Sequence, residues 1–156
     1  MDGTNRQILI YTGLRRPFGI ELDTTNGYLY WTSIYSDKAN IERVKLNDLS
    51  TRTALVKTEM EVTYRLVLAA TDGKMYWCDS WNKVIEEANL NGTNRTTIAT
   101  GLDYPFRIDI YGNYLYWTDS GVIYRVDITT GESSIENFFS IESMDVGANE
   151  TINVIP

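Results

Sequence analysis

Histidine is absent from this chain and cysteine occurs once, at Cys78. The first absence removes the commonest metal ligand and the side chain most used as a general base near neutral pH. The second rules out an internal disulfide. That suits a reducing compartment, and equally a module whose disulfides lie in neighbouring domains. Basic residues are also few, 14 against 21 acidic ones, and they are scattered, so a net charge of −7 speaks against a nucleic-acid partner. No apolar run reaches bilayer length, so direct membrane insertion is not expected. The first residues, MDGTNRQ, lack the charged and apolar regions of a signal peptide. Prolines stand only at Pro17, Pro105 and Pro156, and no stretch shows sustained helical periodicity. Neither a glycine-rich phosphate loop nor a nucleophile motif is present, which leaves carboxylates alone to support catalysis.

What the chain has is repetition. Its 156 residues have the length of one ordinary domain, 43% of them hydrophobic. The stretch GNYLYWTD (112–119) has echoes in GYLYWTS (27–33) and GKMYWCD (73–79). Their tryptophans, Trp31, Trp77 and Trp117, are spaced by 46 and then 40 residues. Other segments recur in phase. DGTNRQILIYTGLRRPFGI (2–20) matches NGTNRTTIATGLDYPFRI (91–108), with STRTALVKTEMEVTYRL (50–66) as a looser middle copy. Thr63-Tyr64 stands there where the outer copies have Pro17-Phe18 and Pro105-Phe106. NIERVKL (40–46), VIEEANL (84–90) and VIYRVDI (122–128) form a third set.

Each unit reads as short strands of alternating character separated by turn residues. In YLYWTD, Tyr114, Tyr116 and Thr118 point to one face, Leu115 and Trp117 to the other. Both faces are aromatic or apolar, which predicts a sheet covered on both sides. Asn91-Gly92 and Asp2-Gly3 are two-residue hairpin signals before an outer fourth strand, NRTTIAT or NRQILIY. Four antiparallel strands in each unit of 40 to 46 residues describe an all-β chain built as blades of a β-propeller.

The motif YWTD, intact at 116–119 and altered at 30–33 and 76–79, resembles the YWTD (class B) repeats of the low-density lipoprotein receptor family. DGTNR, GLRRPFGIELD and KVIEEANLNGTNR fit the same pattern, and the resemblance covers about residues 1–131. It implies a six-bladed extracellular propeller of the kind found in lipoprotein receptors, Wnt co-receptors and nidogen-like matrix proteins. The expected division is an outer strand at 1–11, blades at 17–57, 62–100 and 105–140, and an incomplete tail at 141–156. Three blades do not close a ring, since propellers use about four to eight. The chain is therefore an open arc completed by further blades of a longer chain, or half of a six-bladed ring that a homodimer closes.

An aromatic residue at one strand position in every copy is what blade packing requires. Tyr30, Trp31, Tyr76, Trp77, Tyr116, Trp117, Thr118 and Asp119 are accordingly read as structural, as the resemblance also implies. Ser33 replaces the motif's aspartate and Cys78 its threonine. Each change loses a hydrogen-bonding group, and Cys78 is expected to be a buried, inert thiol.

Binding residues are sought on the variable loops of one rim. Arg15, Arg16 and Trp81 are types enriched at hot spots, and the resemblance carries the rim and hub to Phe18, Tyr64, Phe106 and Arg107. Asn91, Asn94 and Asn149 head glycosylation sequons, and the first two are too close for both to carry a glycan comfortably. The expected function is a non-enzymatic extracellular module that binds secreted or cell-surface protein ligands, or serves as a rigid spacer. No cofactor or metal is expected. The alternative is a lactonase-like six-bladed hydrolase with a carboxylate-bound metal at Glu21 and Asp109, a pattern that Val67 and Leu68 break in the middle copy.

Overall fold

The computed structural model describes residues 4–35, 38–57, 63–130 and 136–139. They form three four-stranded antiparallel sheets, each a meander in chain order. Blade 1 contains β1 (Pro17–Asp23), β2 (Tyr28–Tyr35), β3 (Lys38–Lys45) and β4 (Asp48–Val56). Blade 2 contains β5 (Leu66–Ala69), β6 (Lys74–Asp79), β7 (Val84–Asn89) and β8 (Thr96–Ala99). Blade 3 contains β9 (Pro105–Tyr111), β10 (Tyr114–Asp119), β11 (Val122–Asp127) and β12 (Glu136–Phe139). A single 3₁₀ turn, Ala70–Asp72, joins β5 to β6.

The period-2 pattern of the second strands turns directly into blade stacking. Tyr30, Ala39, Ile41 and Val56 of blade 1 pack against Leu66, Met75, Trp77 and Ala88 of blade 2. The opposite face of blade 2, with Val67, Tyr76, Cys78 and Ile85, packs against Ile108, Leu115, Trp117 and Val126 of blade 3. Each interior tryptophan thus faces the motif tyrosine of the preceding blade. Trp31 of blade 1 is covered by Ile10 and Leu14 instead. On blade 3 the Tyr114 and Tyr116 face is only half-buried.

The motif threonine has a defined task at the hub. The register of β1 against β2 shifts between Pro17 and Ile20, and the Gly19 N–H freed there donates to Thr32 Oγ1 at 2.9 Å. The same shift occurs in β9, where Arg107 N–H donates to Thr118 Oγ1 at 3.2 Å. Blade 2 has Cys78 in that position. There β5 starts only at Leu66 and pairs with β6 without a shift. Gly19 also permits close approach of the blades, since a Cβ would lie 2.9 Å from Arg65 Cα.

Two expectations need correction. The outer strand expected at 1–11 is not a strand over residues 4–11. A fourth strand needs a third to pair with, and among the described residues none lies beside this segment. It rests on blade 1 through Ile10 while Ile8 and Tyr11 stay exposed, and a groove of about 440 Å³ opens between it and Phe18, Leu29 and Trp31. The Asn91-Gly92 turn is likewise no two-residue hairpin, because β7 ends at Asn89 and β8 begins at Thr96. The longer connection packs on blade 1. Gly92 has φ +85° and would place a Cβ 2.7 Å from Leu55 O.

Candidate ligand-binding rim

The starts of the first strands and the ends of the second strands lie at one end of the blades, because Pro17 pairs with Ser33 and Pro105 with Asp119. Backbone and side-chain bonds fix the loops there. Ile34 N–H donates to the carbonyls of Arg15 and Arg16 at 3.2 and 3.3 Å. The motif aspartates act as acceptors. Asp119 receives the N–H groups of Asp103, at 3.0 and 3.1 Å, and of Tyr104. Asp79 receives those of Trp81 and Asn82 at 3.2 and 3.0 Å. Ser80 Oγ donates to the Pro105 carbonyl, joining blades 2 and 3. Ser33, lacking the carboxylate, donates to Asn40 Oδ1 at 2.6 Å and so stays satisfied.

Along this rim the aromatic residues form a strip across all three blades. Phe18 and Tyr64 meet edge to face at 5.3 Å between centroids, and Tyr64 and Phe106 at 4.9 Å. Tyr104 stacks on Phe106 at 6.1 Å, and the Arg107 guanidinium lies 5.2 Å from the Phe106 centroid. A hydrogen bond to Tyr104 holds the Tyr64 phenol above its ordinary pKa. Phe18 is 45% and Tyr104 51% exposed. The strip therefore combines rigid apolar area with hydroxyl and guanidinium groups, the composition of a protein-binding surface.

Four of the seven expected rim residues, Phe18, Tyr64, Phe106 and Arg107, come together in this way. Arg15, Arg16 and Trp81 sit on loops of the same rim but do not join the strip. Both arginines are exposed, Arg16 with φ +41°, and Trp81 is 67% exposed. Tyr104 joins the strip and was not among the expected residues. An aromatic residue just before the proline of an inter-blade loop was the available signal.

Nearer the axis, Arg65 Nη2 lies 3.3 Å from Asp109 Oδ2 and 3.8 Å from Glu21 Oε1. Burial raises the Glu21 pKa, and Arg65 opposes that rise. The two carboxylates considered for a metal thus share a guanidinium between them. Among the described residues no group of three or more His, Cys, Asp or Glu side chains is placed to hold a metal ion.

Behind the rim, the motif tryptophans are held by partners that the repeat pattern contained but that were not singled out. Trp77 Nε1 donates to Glu86 Oε2 at 3.0 Å, and Arg95 binds both oxygens of that carboxylate at 3.0 and 2.7 Å. Arg95 is the arginine of NGTNR. In blade 1, Arg52 binds Glu42 at 2.6 Å and sits 5.3 Å from the Trp31 centroid. Cys78 is fully buried, and its thiol pKa is raised by burial, with Asp119 and Asp79 adding to the effect. Asn91 and Asn94 are exposed beside the β7–β8 connection, and Asn149 lies outside the described residues.

Three packed meanders, a tryptophan and tyrosine alternating at each interface, and loops gathered on one rim define an arc of a β-propeller. The family described as low-density lipoprotein receptor repeat class B matches at residues 73–106. Low-density lipoprotein receptor-related protein 5 of Mus musculus is 35% identical over 135 residues, 85% of this chain and 8% of that protein. The Homo sapiens protein of the same name is 37% identical over 120 residues, 75% of this chain and 7% of its own length. Among solved structures, that of a nidogen/laminin complex aligns with a TM-score of 0.75 at 31% identity, covering 85% of this chain and 51% of that one. This chain is a YWTD (class B) repeat region, a partial β-propeller. It spans less than a tenth of the length of the curated relatives it matches.

Proposed function

We propose that this region is a non-enzymatic extracellular module that binds a protein ligand on its aromatic rim. The observation that carries the reading is the continuous strip from Phe18 through Tyr64 and Phe106 to Tyr104. Aromatic anchors pre-ordered by their neighbours lose little freedom on binding, and truncating such a residue costs about 2 kcal/mol or more. Arg107 adds a charged contact at the strip, and Arg15, Arg16 and Trp81 extend the surface along the loops. Within the reading, the expected blades at 17–57, 62–100 and 105–140 are part of a ring completed by further blades. Likeness to a chain of a nidogen/laminin complex and to receptor-related protein 5 supports a secreted or cell-surface protein as partner.

The hydrolase alternative is weaker. Its carboxylates, Glu21 and Asp109, already neutralise Arg65, and fold alone assigns no chemistry. Surface plasmon resonance against purified laminin and a purified Wnt ligand tests the proposal. Micromolar or tighter binding to either, weakened at least tenfold by Tyr64→Ala with Phe106→Ala, is the expected result. Binding indifferent to these substitutions would overturn the rim assignment, and binding to neither would favour a spacer.

A further inference from the structure

At or beside the turn from third to fourth strand, each blade contains a small device of one kind, an Asp or Asn side chain that accepts the N–H and the hydroxyl of the residue two further on. In blade 1, Asp48 Oδ1 accepts Ser50 N–H at 3.1 Å and Ser50 Oγ–H at 2.6 Å. In blade 3, Asp127 Oδ1 accepts Thr129 N–H at 2.8 Å and Thr129 Oγ1–H at 2.7 Å. In blade 2, Asn91 Oδ1 accepts Thr93 N–H at 3.0 Å and Thr93 Oγ1–H at 2.6 Å. An aspartate serves the turn as well as an asparagine does. Only blade 2 uses the amide, and the amide turns the device into an Asn-Gly-Thr acceptor triplet.

We infer that Asn91, and not Asn94, is the N-glycan acceptor of blade 2, and that the sugar stands on the rim opposite the aromatic strip. At Asn91 the hydroxyl of the second residue on touches the acceptor carboxamide. Oδ1 is engaged there, and Nδ2 makes no hydrogen bond among the described residues. The contact is local, between residues two apart, so it needs no other segment to be folded. At Asn94 the arrangement differs. The backbone has φ +54°, and the Thr96 hydroxyl donates across the sheet to Glu87 Oε1 at 3.3 Å. Once a glycan stands on Asn91, a second acceptor three residues away is shielded.

The transfer is chemically complete with a lipid pyrophosphate-linked oligosaccharide as donor. Asn91 Nδ2 bonds to the anomeric carbon of the first sugar and gives up one proton to a base. The bond from that carbon to phosphate oxygen breaks, and the lipid pyrophosphate leaves. Position follows from strand direction. β6 runs toward the rim and β7 returns from it, so the connection after Asn89 lies at the far end, about 17–20 Å away for six residues. A glycan there closes that end to protein partners and leaves the strip open. The inference rests on the extracellular reading given above.

The test is expression of the full chain behind a cleavable leader in mammalian cells. Total protein, secreted or retained, is then treated with peptide N-glycosidase and mapped by mass spectrometry for asparagine converted to aspartate. Asn91 should be occupied at least tenfold more than Asn94. Asn94→Asp should keep the glycan, and Asn91→Asp, which retains the turn acceptor seen in Asp48 and Asp127, should lose it without transfer to Asn94. Equal or greater occupancy of Asn94, or an unmodified Asn91, would overturn the inference. A chain from its natural source lacking the glycan, beside a modified one from forced secretion, would overturn the extracellular reading and leave the acceptor assignment standing.

Discussion

Blades 2 and 3 share an interface yet hold their tryptophans by different means. In blade 2 the Trp77 indole donates to Glu86, and Arg95 grips the same carboxylate while its guanidinium lies 5.7 Å from the indole centroid. The second strand, the third strand and the segment leading to the fourth are thereby tied together. In blade 3 the cross-strand neighbour of Trp117 is Tyr124, stacked at 5.5 Å with 10° between planes, and the buried indole N–H has no hydrogen-bond partner among the described residues. One polar clamp and one apolar stack fill the same site. The packing position is thus demanding about shape and tolerant about chemistry. The polar version adds a link toward the outer strand.

The largest expected effect is loss of the shared element itself. Trp77→Ala removes a fully buried ring from between blades 1 and 2, and should cost about 3–5 kcal/mol in urea denaturation. Glu86→Gln should cost about 1.5–3 kcal/mol by the same measurement, as charged hydrogen bonds are lost. Glu42→Gln should cost less, because Trp31 Nε1 does not bond to that carboxylate. Equal losses at Glu42 and Glu86 would erase the distinction between indole-linked and unlinked clamps.

Alkaline titration sharpens the comparison further. Burial moves the Tyr76 phenol from near 10 up to about 12. Above pH 10 the unfolded chain releases this proton and the folded chain keeps it. Stability present below pH 10 is therefore lost as pH approaches about 12. Tyr76→Phe should flatten that part of the stability profile, read by fluorescence-monitored unfolding at stepped pH. The smallest effect should come from Cys78→Thr. By restoring the hydroxyl found at Thr32 and Thr118, it should protect the Arg65 amide in hydrogen exchange and add about 0.5–1.5 kcal/mol.

The blades were legible because their signals are local and repeated. The tryptophan–tyrosine alternation, the turns and the inner-strand starts recur in phase, so strand order followed from one chain. The rim was half legible. Phe18, Tyr64 and Phe106 share a repeat position, whereas Tyr104 stands in a loop where no copy repeats it. The Trp77–Glu86–Arg95 clamp was written in the spacing of VIEEANLNGTNR, but its meaning depends on three segments folding together. The N-terminal segment misled for the converse reason. Its sequence matches that of an outer strand, and strand formation depends on a neighbour that residues 4–16 do not have beside them among the described residues.

Consider again the missing register shift at the start of β5. Gly19 and Arg107 occupy the shifted positions in blades 1 and 3, while Arg65 takes the unshifted one in blade 2 and reaches Glu21 and Asp109 on either side. Three identical inner edges would offer a visitor equivalent footholds related by rotation about the axis, and nothing would choose among them. The altered middle edge removes that degeneracy. A partner lying across the arc would meet a surface with a single heading, set by the imperfect copy.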